Sequence, residues 1–158
     1  NKKNIFEYTD LGSDIPFFLN QHDSLVRGRG DLISNIVFPK YFFLITKPNF
    51  NCSTKKMYDM FTPSDFDYNL EEDIEVINDN DNGNDFEKVI KKIEPDFNSI
   101  YNNMDSLDGT IFTRLTGSGS CIFSVFEKKL AAENAKKSFL KTYPNLWAVV
   151  AENNNIIL

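Results

Sequence analysis

The stretch Tyr41-Phe42-Phe43-Leu44-Ile45-Thr46 is a continuous apolar run, rich in aromatic residues, that ends at Lys47-Pro48. A short apolar run with this composition and a proline at its end is typical of a β-strand that is buried on both faces. The sequence therefore predicts a buried strand over 41–46, and the remaining segments can be placed in relation to it.

Helix and strand patterns alternate after this strand. Ser53 or Thr54 can cap a short helix that carries Met57 to Phe61 and stops before Pro63. Helical spacing recurs over 86–93, and Pro95 is suited to the first turn of another helix. Further strands are predicted at 110–115, 121–126 and 146–151, and a last helix at 130–143. The resulting order, strand, helices, strand, strand, helix, strand, is the split β-α-β arrangement of a ferredoxin-like α+β sandwich.

The first forty residues do not fit into that unit, so we expect two domains, 1–40 and 41–158. Residues 1–10 are interpreted as a helix end or a loop, and the segment from Gly12 to Pro16 as a turn. Phe17-Phe18-Leu19 predicts a short strand, and Gly28 with Gly30 predicts a bend inside a hairpin arm. The chain lacks an initiator Met, so we expect it to begin inside a longer protein.

Composition excludes several classes of function. A net charge of −6 argues against a nucleic-acid partner, because binding to phosphate backbones needs a basic field. No apolar run approaches the length of a membrane span. The single histidine and the widely separated Cys52 and Cys121 do not have metal-site spacing, so no metal site is expected. The two cysteines are expected to be free buried thiols, with a single disulfide as the alternative. Nine acidic residues and no basic ones lie between Asp65 and Asp85, which favours a solvated loop over a functional patch.

Asp14 is the first candidate catalytic residue. It lies in a glycine-containing turn directly before an apolar segment, where its carboxylate could face a cleft and accept a hydroxyl proton during phosphoryl transfer. The residues alone favour a simpler role, because aspartates in turns often bond only to the turn backbone.

The loop from Thr116 to Ser120 is the second candidate. Gly117 and Gly119 alternate with hydroxyl residues, and such a sequence can turn successive backbone N–H groups toward one anion. The spacing is not that of a P-loop, and no lysine follows at the required place. A plain hairpin turn explains the same pattern equally well.

Taken together, these segments resemble the diphosphocytidyl-methylerythritol kinases of the GHMP superfamily, which includes galactokinase, homoserine kinase, mevalonate kinase and phosphomevalonate kinase. Residues 11–18, LGSDIPFF, resemble the family's catalytic-aspartate signature. Residues 28–31, GRGD, resemble the hairpin Gly-Arg-Gly-Glu that follows it, with Asp in place of Glu. Three further segments match in order: 47–58 the strand end and substrate-contacting helix, 84–87 the segment Asn-Asp-Leu-Glu, and 113–123 the superfamily's third motif.

The resemblance implies transfer of the ATP γ-phosphate, with Mg²⁺, to the 2-hydroxyl of 4-diphosphocytidyl-2-C-methyl-D-erythritol. It makes Asp14 the catalytic base. Gly12 and Ser13 would position the substrate through their backbone, Thr54 would contact it, and Tyr58 would stack on the cytosine. The loop formed by Gly117, Ser118, Gly119 and Ser120 would lie beside the phosphates.

The resemblance implies that residues 1–40 are the tail of the N-terminal, ATP-binding kinase domain and that residues 41–158 are the C-terminal ferredoxin-like domain. It also implies that the rest of the N-terminal half of the same protein is required. The family's ATP loop, the lysine that pairs with the catalytic aspartate, and a Tyr-His pair beside the cytosine have no counterpart in these 158 residues. We therefore expect the chain alone to be inactive. The alternatives are another kinase of the superfamily, of homoserine or mevalonate type, or a non-catalytic ferredoxin-like ligand-binding domain.

The sequence also leads to an expectation for the subcellular localisation. The Gly-Ser-Asp-Ile-Pro-Phe-Phe and Cys-Ser-Thr segments resemble plastid-type versions of the enzyme. A bias toward Asn, Lys and Asp indicates an AT-rich genome. We expect a plastid or an apicoplast-like organelle, with the bacterial cytoplasm as the alternative.

Overall fold

A computed structural model describes residues 12–20, 22–62 and 83–153 of the chain. The chain divides into a first unit, which includes the residues up to Lys40, and a second unit, Tyr41–Asn153. None of the helices within the described ranges is both long and apolar enough to cross a membrane. The first unit contains α1 (Ile15–Asn20), β1 (Ser24–Arg27) and β2 (Leu32–Asn35); the second contains β3 (Phe42–Lys47), α2 (Thr54–Asp59), α3 (Phe86–Ile93), α4 (Pro95–Asp105), β4 (Phe112–Leu115), β5 (Ile122–Phe126), α5 (Lys129–Thr142) and β6 (Trp147–Glu152).

The second unit is built on one antiparallel sheet with the strand order β4-β5-β3-β6. The apolar run at 41–46 forms β3, which is hydrogen-bonded to a neighbour on each side. Phe42 lies opposite Phe126 of β5 on one side and opposite Glu152 of β6 on the other. The prediction of a ferredoxin-like α+β fold is confirmed, because the element order and this strand order are both those of that sandwich.

Two helices cover the sheet with residues at helical spacing. In α4, Phe97, Ile100 and Met104 recur on one face, and α4 contacts β4 and β5. In α5, Ala132 and Phe139 are buried, and α5 contacts β3, β5 and β6. The two helices also contact each other, which closes the core over the sheet.

Buried hydroxyl groups inside this core are paired. Thr113 and Ser124 lie opposite each other on β4 and β5, and their side-chain oxygens are 2.8 Å apart. Thr46 donates its hydroxyl hydrogen to the carbonyl oxygen of Trp147 over 2.7 Å. A buried hydroxyl without a partner would cost more free energy than the pair contributes, so these pairs make polar residues tolerable at core positions.

The helix predicted from Ser53 or Thr54 is shorter than expected. Ser53 is the N-cap, and its hydroxyl accepts the Lys56 N–H. The helix ends at Asp59, so Phe61 lies beyond it; the N–H of Phe61 donates to the Tyr58 carbonyl in a tight final turn. The predicted stop at Pro63 and nearly all of the acidic stretch 65–85 lie outside the described residues.

The first unit corrects three predictions: the strand at 17–19, the turn at 12–16, whose last two residues already belong to α1, and the bend at Gly28 and Gly30. Phe17-Phe18-Leu19 is part of helix α1, so the predicted strand is wrong. Three apolar residues show neither a period of 2 nor one of 3.6, whereas Pro16 is well tolerated in a first helical turn. The interpretation of residues 1–10 concerns residues outside the described ranges.

The two glycines of the first unit lie at the tip of a hairpin. Strands β1 and β2 are antiparallel, with Arg27 opposite Leu32, so residues 28–31 form the loop between them and not a bend within one arm. Gly28 and Gly30 have φ values of +68° and +86°, which residues with a Cβ rarely adopt.

The core predicts a contrast between two residues of α5. Replacing Phe139, which is fully buried, with Ala should lower the free energy of unfolding by about 3–5 kcal/mol, because it leaves a cavity. Leu130 in the same helix is 72% exposed, and Leu130→Ala should change the free energy of unfolding by less than about 0.5 kcal/mol. Urea unfolding of both variants measures this difference, and equal effects would contradict the placement of α5.

Candidate functional site

Asp14 lies within a turn that backbone hydrogen bonds close without help from its side chain. The Ile15 N–H donates to the Gly12 carbonyl over 3.2 Å, and the Phe18 N–H donates to the Asp14 carbonyl over 3.3 Å. The carboxylate of Asp14 is exposed, and Ser13 beside it is exposed as well. The predicted catalytic residue is thus held on fixed backbone while its carboxylate stays accessible.

Gly30 packs directly against this turn. It is the buried residue of the hairpin loop, and an ideal Cβ on it would overlap the backbone carbonyl group of Ser13. Asp31, in the same loop, accepts the Arg29 N–H over 2.7 Å and so stabilises the loop from within. The hairpin loop is therefore a support for the Ser13–Asp14 turn, and only a glycine at position 30 allows this approach.

The predicted loop at 116–120 joins β4 to β5. Its base is closed by the Thr116 N–H, which donates to the Cys121 carbonyl over 2.9 Å. Within it the Gly119 N–H donates to the Thr116 carbonyl over 2.8 Å. Gly117 and Gly119 have φ values of +47° and +94°, so the paired glycines are required by the backbone. Ser120 is buried at the end of the loop.

Two predicted site residues from distant segments meet at this loop. Thr54, the first residue of α2, and Ser118 have their hydroxyl oxygens 2.9 Å apart. Gly119 lies against Cys52, just before α2, and a Cβ on Gly119 would be 3.1 Å from the Cys52 sulfur. The predicted substrate-contacting residue and the predicted phosphate-side loop therefore form one continuous surface.

Tyr58 lies on α2 with 64% of its surface exposed. Its ring meets the Phe86 ring edge-on, with 5.0 Å between centroids and 87° between planes. Phe61 packs on the same Phe86 ring at 5.4 Å. An exposed aromatic ring supported in this way can offer a face to a planar base.

Two residues that bind the loop were not assigned a role by the sequence patterns. Asn84 donates to the carbonyl oxygens of Leu115 and Gly117, and Glu87 accepts the Leu115 N–H. The segment 84–87 was noted as a family match, but side-chain bonds to a distant backbone leave no periodic signal in a sequence.

The thiol beside the loop is held in its neutral form. Burial raises the pKa of the Cys52 thiol, the charge of Glu94 raises it further, and the charge of Lys56 opposes both. Cys52 and Cys121 are both free, in agreement with the expected free thiols. A neutral thiol packed on Gly119 shapes the loop and is a poor nucleophile.

The described residues do not fit a resident metal ion. No group of three or more His, Cys, Asp or Glu side chains within 12–20, 22–62 and 83–153 could hold one. A cavity of about 500 Å³ lies elsewhere in the second unit, between the residues after β3, the start of α4 and the turn before β6. None of the predicted site residues lines that cavity.

Comparisons with known proteins give one matching family and several similar kinases. The family described as GHMP kinases C terminal matches residues 68–145. A 4-diphosphocytidyl-2-C-methyl-D-erythritol kinase of Anaplasma phagocytophilum is 30% identical over 145 residues, covering 85% of this chain and 48% of the relative. The kinase of that name from Idiomarina loihiensis is 32% identical over 149 residues, covering 92% of this chain and 48% of the relative.

A solved structure supports the fold independently. The crystal structure of a 4-(cytidine 5'-diphospho)-2C-methyl-D-erythritol kinase superposes with a TM-score of 0.76 at 22% identity, covering 96% of this chain and 58% of that one. At this identity the likeness bears on the fold alone. The chain spans about half the length of the curated relatives that it matches.

The packing of Gly30 on Ser13 predicts different outcomes for two glycines of one loop. Gly28→Ala and Gly30→Ala both place a Cβ at positive φ and should each cost about 1–2 kcal/mol of folding free energy. Gly30→Ala must in addition move the Ser13 backbone, whereas a Cβ at position 28 meets only the side-chain end of Asp31. Amide chemical shifts of Ser13 and Asp14 should therefore change markedly in Gly30→Ala only. Similar changes in both variants would contradict the support role.

Proposed function

We propose that this chain is the C-terminal half of a small-molecule kinase, because the family described as GHMP kinases C terminal matches residues 68–145 and relatives named as kinases match most of the chain. The kinase transfers the γ-phosphate of ATP to the 2-hydroxyl of 4-diphosphocytidyl-2-C-methyl-D-erythritol, a step in isoprenoid precursor biosynthesis. The observation that carries the substrate assignment is the match, over 85% and 92% of this chain, to two kinases named for that substrate.

Asp14 is the general base in this proposal. Phosphoryl transfer depends mostly on positioning and charge placement, and a base must reach the hydroxyl proton that it abstracts. The carboxylate of Asp14 accepts the proton of the 2-hydroxyl as that oxygen attacks the γ-phosphorus. The bond from the γ-phosphorus to the bridging oxygen then breaks, and ADP leaves. The exposed carboxylate on a closed turn, with Gly12 and Ser13 beside it, supports this role.

The second unit supplies the remaining contacts of this half. Thr54 contacts the substrate, and Tyr58, supported edge-on by Phe86, stacks on the cytosine ring. The loop Gly117–Ser120 lies beside the phosphates and shapes the site. Mg²⁺, when bound with ATP, neutralises phosphate charge. The proposal places that ion with the ATP phosphates.

The N-terminal half of the same protein is the proposed partner of the first unit. The first unit exposes large apolar side chains: Phe18 in α1 is 73% exposed, and Val37, which follows β2, is 90% exposed. Leu19 and Leu32 are also more than half exposed. Several exposed large apolar side chains in one small unit are typical of a surface that another part of a protein covers. The proposal places the ATP loop on that half.

The proposed compartment is a plastid or an apicoplast-like organelle. Its support is the likeness of the 11–18 and 52–54 segments to plastid-type sequences and the bias toward Asn, Lys and Asp. Fractionation of the source cells, with this chain followed by antibody, tests it; recovery in a bacterial cytoplasm would contradict it.

The role of Asp14 predicts a selective loss of turnover. In the full-length enzyme, Asp14→Asn should lower kcat by about 100- to 10,000-fold, because the amide cannot accept the hydroxyl proton. Binding of cytidine nucleotides, measured by calorimetry, should stay within about threefold of the parent, since the side chain keeps its size. Asp108→Asn, an exposed change in the loop before β4, is the control and should leave both values unchanged. A near-normal kcat for Asp14→Asn would remove Asp14 from the role of base.

A further inference from the structure

We propose that Asn84 and Glu87 are positioning residues that hold the loop 116–120 in the geometry used for phosphoryl transfer. The inference rests on the proposed function for its kinetic consequence. The position of the loop itself follows from contacts within the second unit and can be tested without any assay of activity.

Asn84 uses all of its side-chain hydrogen-bonding groups at this point. Its Nδ2 group donates to the carbonyl oxygen of Leu115 over 2.9 Å and to that of Gly117 over 2.7 Å. Its Oδ1 accepts the N–H of Phe86 over 3.0 Å, at the start of α3. One side chain therefore connects the first turn of α3 to both the end of β4 and the first glycine of the loop.

Glu87, in the first turn of α3, holds the same strand end. It is only 7% exposed, and its Oε1 accepts the N–H of Leu115 over 2.8 Å. Lys91, one helical turn further on, lies 3.9 Å from its other oxygen. A carboxylate this buried is tolerable because it accepts a hydrogen bond and has a cation nearby.

Strand β4 explains why these two residues are needed. It is an edge strand of the sheet, so one side of its backbone has no neighbouring strand within that sheet. The carboxylate of Glu87 accepts the backbone N–H of Leu115, and the amide of Asn84 donates to the Leu115 carbonyl oxygen. The two side chains thus replace the hydrogen bonds that a further strand would make. The loop that follows directly is thereby fixed at its β4 end.

Apart from the backbone bonds that close the loop on itself, its other contacts with neighbouring segments are weaker constraints. Ser118 shares one hydrogen bond with Thr54, which is exposed, and Gly119 is held by packing on Cys52. Loss of the Asn84 amide would leave the Gly117 carbonyl to water and allow the loop to shift. Small displacements of a positioning element are costly, since a change of about 1 Å can lower turnover about 100-fold.

Asn84→Asp separates the loop contact from a structural role in α3. The carboxylate has nearly the same shape, still accepts the Phe86 N–H, and adds a negative charge that the helix N-terminus favours. It cannot donate, so both bonds to the carbonyls of Leu115 and Gly117 are lost. Asn102→Asp, at an exposed position in α4, is the matched control.

The first experiment measures backbone amide shifts and hydrogen exchange in this chain. Asn84→Asp should shift the amide signals of Gly117, Ser118 and Gly119 and increase their exchange about tenfold or more, while the thermal midpoint changes by only a few degrees. Asn102→Asp should leave these signals unchanged. Unchanged loop amides in Asn84→Asp would overturn the proposal.

The second experiment uses the full-length enzyme and separates kcat from KM. Asn84→Asp should lower kcat about tenfold or more while KM for the diphosphocytidyl substrate stays within about threefold. Glu87→Gln keeps an acceptor for the Leu115 N–H and should retain most of the activity, whereas Glu87→Leu should not. Shifted loop amides with a normal kcat would overturn the positioning role. A parent enzyme without phosphotransfer would overturn the proposed function, and the amide measurements would still decide whether Asn84 holds the loop.

Discussion

The two-sided pairing of β3 is the interaction on which the second unit depends. A strand that is hydrogen-bonded to β5 on one side and to β6 on the other fixes the middle of the sheet, and Leu44 in its centre is fully buried. The strand leads into α2 at one end of the sheet, and β4 and β5 turn back through the glycine loop. The meeting of Thr54 with Ser118 is a consequence of that arrangement. Helices α4 and α5 then close the core over the strands.

The candidate site is built mainly from backbone and small residues. Asp14 lies in a turn closed by backbone hydrogen bonds, and the 116–120 loop is closed by backbone bonds at its base. Glycines at positions 30 and 119 allow approaches that a Cβ would obstruct. Such a construction suits phosphoryl transfer, where the enzyme orients reactants that already carry the reacting groups.

The sequence predicted the elements of the second unit well, for a physical reason. The local signals that tertiary packing did not override are the apolar run at 41–46, the helix start at Pro95, the helix end before Pro144 and the helical spacing of Phe86, Val89, Ile90 and Ile93. The segment Phe17-Phe18-Leu19 carried no period, and its strand assignment was wrong. Local patterns decide an element only when they are long enough to show a repeat.

The site was predictable in part. The glycine pattern indicated a tight loop at 116–120, and the structure confirms the loop; its relation to phosphates stays a prediction, as do the roles of Asp14, Thr54 and Tyr58. The bonds of Asn84 to Leu115 and Gly117 join segments about thirty residues apart in the chain, and no local pattern encodes them. The same is true of the support that Phe86 gives to the Tyr58 ring.

One measurement tests the central claim most directly. This chain, joined to its nucleotide-binding half, is incubated with ATP and 4-diphosphocytidyl-2-C-methyl-D-erythritol, and the products are followed by phosphorus NMR. The account predicts ADP and a new phosphomonoester on the 2-hydroxyl of the substrate, with no product when homoserine or mevalonate replaces it. Absence of that phosphomonoester, or comparable turnover of homoserine or mevalonate, would contradict the account.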